Sequence, residues 1–429
     1  MNAYDEALQF LLEKLPAYHR IGAAALRPGL ENINALCNWL GNPQAQYKTV
    51  HIAGTNGKGS TSHMLAALFQ SAGYTCGLLT SPHLLSYRER IKINGIEIDE
   101  DYVVSFIQSF RNARLSGDFS FFEITTALAF NYFADKHIDI AIIETGLGGT
   151  FDSTNVINPV LSVITNISMD HSHLLGETLT QIAEQKSGII KKNTPTVVGR
   201  HHPDTDDVFI VKVELCNSYL LFAEDACRIE ETGRARNLTF EDEHQSITFD
   251  PCLKGAYQIE NFATVAAAFT VLKTEFDLQT DHLKAAFEHT SQLTGLRGRY
   301  EVLQSEPLVI CDVAHNPDGL RATFDQALAD TKGTLHIVIG FVSDKKVEDV
   351  APHFPKDAHY YLTQPAIDRA MPVELLLQHL LCYDLNIVTQ TNHVKDALIA
   401  AISNAKSDDL ILVTGSTFVV TDVIVYLES

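Results

Sequence analysis

Short, unbroken apolar runs alternate with longer amphipathic stretches along most of the chain. The runs include TVHIA, IDIAIIE, VLSVIT, PLVIC, TLHIVIG, AHYYLT and LILVT, most of them ending in a glycine or a polar residue. Runs of this kind, lacking the one-in-two alternation of a half-solvated strand, predict parallel strands covered on both faces. Between them, HMLAALFQSAGY, FSFFEITTALAFNYFADK, LTQIAEQKSGII, QIENFATVAAAFTVLK and DHLKAAFEHT repeat apolar positions at three and four, which predicts helices. Strands alternating with helices predict an α/β fold: a doubly wound amino-terminal domain and a smaller Rossmann-like carboxyl-terminal one. The Gly/Arg-rich LTGLRGRYEVL divides them, giving domains 1–294 and 301–429 with a linker at 295–300.

Other stretches fit less regularly. Residues 1–48 are expected to be helical, with Leu8, Leu11, Leu12 and Leu15 on one face and a second helix through LENINALCNWLG. YRERIKINGIEI alternates around an Asn94-Gly95 turn and predicts a hairpin. Residues 200–256 are acidic and alternating, and predict a β-rich peripheral segment. Phe119, Phe121 and Phe122 open the predicted helix FSFFEITTALAFNYFADK, where plain core packing is the pattern's first explanation.

Composition narrows the function. With 429 residues and 45% hydrophobic content the chain suits a globular enzyme of two or three domains. A formal charge of −21, from 32 basic against 53 acidic residues, argues against nucleic acid or an anionic membrane as the main partner. The acidic start MNAYDEALQFLLEKL lacks the basic and apolar regions of a signal peptide, so a cytoplasmic location is expected. Seven cysteines without CxxC spacing are expected to be reduced thiols.

The chemistry centres on GTNGKGST, residues 54–61, between a predicted strand and a predicted helix. Gly54, Gly57 and Gly59 let backbone N–H groups approach phosphate oxygens, and the helix behind adds its positive end. Thr55 and Asn56 complete the cradle, Lys58 supplies a point charge, and Ser60 or Thr61 a hydroxyl for Mg²⁺. The spacing is not the common Walker one, because Gly59 separates the lysine from the hydroxyl. Further polar groups end the other predicted strands, where α/β sheets bind ligands. They are Ser81-Pro82-His83, Glu144 as a Mg²⁺ ligand on a Walker B-like strand, the loop TGLGGTFDSTN with Asp152, and Asp170-His171. In the second domain, Asp312, His315 and Asn316 follow one strand and Gly415-Ser416-Thr417 another, which predicts a cleft with a nucleotide on one wall and an acceptor on the other. Lys186, among apolar neighbours, would ordinarily snorkel to solvent.

Taken together these motifs resemble the Mur ligase superfamily and, within it, the folylpolyglutamate synthase/dihydrofolate synthase family. The carriers are GTNGKGS (54–60), TSPHLLSYRERI (80–91), ETGLGGTFDSTN (144–155), DHSHLLGETLTQIAEQKSGII (170–190), the arginine of GRY (298–300) and DVAHNP (312–317). The resemblance implies an ATP-dependent ligase that joins L-glutamate to dihydropteroate, to folates, or to both. It implies ATP phosphates on Lys58 and the loop, one Mg²⁺ on Ser60 and Glu144, and a second metal served by Ser81 and His171, with K⁺ as a further cation. It implies a carbamylated Lys186, adenine on Asn261, the γ-phosphate on Arg299, and nucleotide contacts from Asp312 and His315. Arg90, Phe122, Asp152 and Ser153 would face the pterin substrate, and Gly415 and Ser416 the glutamate end. A monomer is implied as well. Gln185-Lys186-Ser187-Gly188 stands where many relatives carry Glu-Lys-Ala-Gly, Arg297 where a proline is usual, and Ser153 where an alanine is.

Two other readings compete. Ligases of UDP-linked cell-wall precursors carry a substantial domain ahead of the loop, and the residues before Thr49 are too few for one. A non-catalytic nucleotide-binding module would not need phosphate and metal residues together in both domains.

Overall fold

The computed structural model describes residues 2–16, 29–232, 235–240 and 246–429. The chain forms two compact units, residues 1–252 with Gln258–Leu296, and Leu253–Tyr257 with Arg297–Ser429.

The first unit is built on an eight-stranded sheet. Its strands are β1 (Lys48–Ala53), β2 (Cys76–Leu79), β3 (Ile91–Ile93), β4 (Ile96–Glu97), β5 (Ile140–Glu144), β6 (Leu161–Ile164), β7 (Thr196–Val198) and β8 (Leu220–Phe222). They lie in the order β4-β3-β2-β5-β1-β6-β7-β8. The six strands other than β3 and β4 pair in parallel, and every residue of β2, β5, β6 and β7 is buried, as continuous apolar runs require. The hairpin expected around Asn94-Gly95 is β3 and β4, which extend the sheet antiparallel at its edge.

The chain passes from β5 on one side of β1 to β6 on the other, so the strand order switches at β1, and the crevice beyond such a switch is where α/β sheets hold ligands. Register sets its geometry: Ile52 pairs with Glu144 and Ala53 with Ile164, which brings the exits of β1, β5 and β6 level. The helix Lys58–Ser71 is buried from Ser60 to Phe69, covered by the sheet and by the helices Gln258–Leu272 and Thr280–Thr294.

Within residues 1–48 the chain forms the α-helix Ala3–Gln9, capped by Asn2 and continued by the π-helical Phe10–Lys14, then the α-helix Glu31–Trp39 and the 3-10 turn Pro43–Ala45; residues 17–28 lie outside the described ones. Leu11 and Leu15 are buried in the core, as are Phe119 and Phe121, while Leu8, Leu12 and Phe122 pack partly buried at its margin.

Residues 200–256 correct the sequence reading. Asp206–Leu215 is a helix whose Phe209 and Val213, four apart, are buried, and β8 joins the main sheet. Only then comes an antiparallel sheet of β9 (Cys227–Thr232), β10 (Ala235–Phe240) and β11 (Ser246–Phe249), in the order β11-β10-β9.

The second unit holds a six-stranded sheet of β12 (Glu301–Ser305), β13 (Leu308–Cys311), β14 (Leu335–Ile339), β15 (His359–Thr363), β16 (Asn386–Thr391) and β17 (Leu410–Thr414). Their order is β12-β13-β17-β14-β15-β16, parallel except for β12 against β13. β12 is an edge strand without a fully buried residue, so no apolar run marks it in the sequence. Among the described residues no helix is long and apolar enough to cross a membrane.

Candidate functional site

The loop after β1 is fastened before any ligand is considered. Gly54 (φ +150°) lies so close to the exit of β6 that a Cβ would come within 1.8 Å of Thr165 Oγ1. Gly57 (φ +84°) starts the helix, and a Cβ there would meet Asn261 Oδ1 at 2.1 Å. Only glycine suits both conformation and space. Thr55 N donates to Asn166 O (2.8 Å), Asn56 N to Asn166 Oδ1 (2.9 Å), and Thr165 Oγ1 to Asn56 O (2.6 Å). Thr55 Oγ1 donates to Ser168 O at 3.1 Å. The segment Thr165–Ser168 is thus the loop's scaffold, and sequence reading passed over it because its partners are more than a hundred residues away.

Two lysines meet on this loop. Lys58 Nζ donates to Gly54 O (3.0 Å) and Thr55 O (3.2 Å), and Lys186 Nζ donates to the same Gly54 O at 2.7 Å. Lys186 is buried at 3% exposure, which corrects the expectation that it snorkels. Burial pushes its pKa well below the usual range, the neighbouring Lys58 charge pushes the same way, and Asp170 and Asp152 oppose them. An amine so placed is held toward its neutral form.

Around the loop, Ser60 is buried, and its Oγ accepts from Gln258 Nε2 at 3.2 Å. Gln258 Oε1 in turn accepts from Asn261 Nδ2 at 2.7 Å. Glu144 is buried at the end of β5, with Ser81 N 3.4 Å from its Oε2, so these two metal candidates adjoin. His171 has its Nε2 3.8 Å from Asp170 Oδ2. Among the described residues no group of three or more His, Cys, Asp and Glu is arranged to hold a metal. One carboxylate with hydroxyls suits Mg²⁺, which usually takes one or two protein carboxylates and completes its shell with phosphate oxygens and water. The hydroxyls of Thr61, Thr145 and Ser168 are buried without a partner, so polar capacity is present at the loop and at both flanking strand ends.

Arg90 is buried, donates from Nε to His83 Nδ1 (2.7 Å), and lies with its guanidinium 5.0 Å over the Phe121 ring. Burial brings its pKa down to about 10 against the upward pull of Tyr87, Glu144 and Glu89. Asp152 is also buried and caps a short turn: Oδ1 accepts from Thr154 N (3.0 Å) and Thr154 Oγ1 (2.5 Å), Oδ2 from Leu147 N (2.8 Å). Burial raises its pKa while these donors lower it. Thr154 Oγ1 lies 2.8 Å from Nε2 of His51, a buried residue of β1 that the sequence did not single out. Ser153 and Phe122 are half-buried.

The second unit gathers its own candidates. Asp312, at the exit of β13, is buried and accepts from Tyr257 OH (2.5 Å), Tyr300 N (2.9 Å) and Ala314 N (2.8 Å). Burial raises its pKa, and Tyr257 and Arg299 lower it. His315 Nδ1 is 2.9 Å from Val313 O, which assigns the proton to Nδ1. Arg299 donates from Nη1 to Gly298 O at 3.2 Å. Asn316 and Ser416 are helix caps, accepting from Gly319 N (2.9 Å) and Phe418 N (3.3 Å), and Gly415 adopts φ +95° before the last helix.

Residues 52–269 match the Mur ligase middle domain, and residues 298–417 match the Mur ligase, glutamate ligase domain. The chain is 33% identical over 423 residues to the dihydrofolate synthase/folylpolyglutamate synthase of Bacillus subtilis (strain 168), covering 93% of this chain and 94% of that one. Among solved structures it is similar to E. coli FolC in complex with DHPP and ADP, with a TM-score of 0.87, 27% identity, and 99% and 97% of the two chains covered. It is also similar to a bifunctional folylpolyglutamate synthase/dihydrofolate synthase with Mn, AMPPNP and L-glutamate bound, with a TM-score of 0.82, 28% identity, and 94% and 95% covered.

Proposed function

Because the chain belongs to the Mur ligase family, as a carbon–nitrogen ligase of its folylpolyglutamate synthase/dihydrofolate synthase branch, we propose that it joins L-glutamate to dihydropteroate, to reduced folates, or to both, through an acyl phosphate. The observation that supports this most is the meeting of Lys58 and Lys186 on Gly54 O, beside the exits of β5 and β6. Lys58 supplies positive charge, and the helix behind the loop its amides, for a triphosphate next to the buried carboxylate Glu144.

The reaction follows from elementary chemistry. The acceptor carboxylate attacks the γ-phosphorus of ATP, and ADP leaves. The amine of glutamate then attacks the acyl carbon, an amide bond forms, inorganic phosphate departs, and the amine loses a proton. No protein nucleophile is needed; the chain positions the reactants and offsets negative charge. Mg²⁺, held by Ser60 and Glu144 and at a second site by Ser81 and His171, would neutralise charge on the transferring phosphoryl group. K⁺ is proposed as an additional cation.

The depressed basicity of Lys186 supports its carbamylation. Its neutral amine can add CO₂, forming an N–C bond and releasing a proton, which leaves a carbamate carboxylate in place of a buried amine. Asn261, Arg299, Asp312 and His315 are proposed as nucleotide contacts. Arg90, Phe122, Asp152 and Ser153 are proposed for the pterin substrate, and Gly415 and Ser416 for glutamate. The test is phosphate release by the purified protein with ATP, glutamate and either dihydropteroate or tetrahydrofolate. Release that needs both acceptor and glutamate is expected. Nucleotide binding without amide product overturns the reading, and the ratio between the two acceptors tells which activity prevails.

A further inference from the structure

Gln258 is fully buried at the first residue of the helix Gln258–Leu272, and nothing in its neighbourhood in sequence requires an amide there. A buried amide is costly unless both its ends are satisfied, so the partners identify what the position is for. On one end Oε1 accepts from Asn261 Nδ2, and on the other Nε2 donates to Ser60 Oγ, 198 positions away in sequence. Asn261 Oδ1 fills the space against Gly57, so the far end of the chain of bonds is seated on the phosphate loop itself. Every donor points one way, from Asn261 through Gln258 to Ser60. Ser60 Oγ is therefore an acceptor on the Gln258 side, and its other lone pair and its proton are turned elsewhere.

We propose that Gln258 is the positioning residue of the Ser60 hydroxyl, holding it so that its remaining lone pair faces the divalent cation that accompanies a bound nucleotide. The inference rests on the nucleotide reading above and adds a residue to it. Gln258 touches neither nucleotide nor cation in this role; it acts through Ser60. Partners of this kind orient a cation's ligands, and their loss commonly weakens metal binding about tenfold or more.

The test is calorimetry of ADP binding by the full chain, in Mg²⁺ and in EDTA. Gln258→Met keeps length and removes both hydrogen bonds. It is expected to lose about tenfold of the Mg²⁺-dependent gain in ADP affinity, read as the ratio of the affinities in Mg²⁺ and in EDTA so that any change passed through Asn261 cancels. Should that variant not fold by circular dichroism, Gln258→Glu replaces it: the carboxylate still accepts from Asn261 and cannot donate to Ser60, and the same loss is expected. In a Ser60→Ala background Gln258→Met should add nothing. An unaltered Mg²⁺-dependent gain in a folded variant, or additive losses in the double variant, overturns the inference while leaving the ligase reading intact. Wild-type protein that binds no ADP overturns both.

Discussion

Thr154→Val tests whether the glycine-rich loop after β5 is held by a buried polar relay. The Thr154 hydroxyl sits between two buried groups, His51 Nε2 at 2.8 Å and Asp152 Oδ1 at 2.5 Å. Burial and the charge of Lys191 lower the His51 pKa to about 3, so the ring is neutral. Thr154 gives its proton to the carboxylate and accepts the Nε2–H of His51, whose Nδ1 is already buried without a partner. Valine has threonine's shape but neither hydrogen bond. A buried donor stripped of its acceptor costs about 1–3 kcal/mol, and a bond to a charged acceptor contributes about 1.5–3 kcal/mol. The expected loss is therefore about 2.5–6 kcal/mol, a large share of the roughly 5–15 kcal/mol typical of a domain.

The pH dependence separates the two contributions. Burial raises the folded pKa of Asp152 above its unfolded value of about 3.9, so ionisation of this group opposes folding. That cost is absent below the unfolded pKa, grows as pH rises, and is complete above the folded pKa. Removing Thr154 takes away a donor that holds the folded pKa down, so the cost deepens and its window moves upward. Urea unfolding of wild type and variant at about pH 7 and near the unfolded pKa of about 3.9 reads this directly. The deficit should be larger at the higher pH. A deficit below about 1 kcal/mol, or one that does not shrink on acidification, refutes the relay.

Three more outcomes are expected. Lys58→Ala should abolish amide formation with little change in urea stability, because among the described residues its amine bonds only to carbonyls of its own loop; most activity surviving would dismiss the phosphate assignment. Lys186→Ala should also be inactive and regain partial activity with added short-chain carboxylic acids, and wild-type turnover in this variant removes the carbamate. Tyr257→Phe should lower the stability of the second unit by about 1.5–3 kcal/mol, since it deprives a buried carboxylate of a hydroxyl donor at 2.5 Å. An unchanged melting temperature contradicts that.

The sequence showed what is settled locally. The sheet strands were legible because burial on both faces forces an unbroken apolar run, whereas β12, half-solvated at an edge, carries none. The helix Asp206–Leu215 passed for alternation because its two buried residues are flanked by exposed apolar ones such as Val211. Gly54, Gly57 and Lys58 announced themselves because a phosphate loop needs those residue types in one short stretch. Lys186 was named through the family resemblance alone, since only the tertiary structure brings Gly54 O to it across 132 positions. Gln258 and Thr154 were silent for the same reason: an amide or a hydroxyl on a helix or turn is unremarkable until its distant partner is known.

The short segment Leu253–Tyr257 makes the units discontinuous in sequence, and this bears on how such proteins exchange parts. A recombination joint placed at residue 297 would carry β12 to the carboxyl terminus from one parent and leave residue 257 behind with the other. The inherited carboxylate at 312 would then be buried against whatever side chain the second parent happens to supply 55 positions upstream. Tyr257 and Asp312 therefore behave as a single heritable character, and chimaeras that exchange one without the other should fold worse than those that move both.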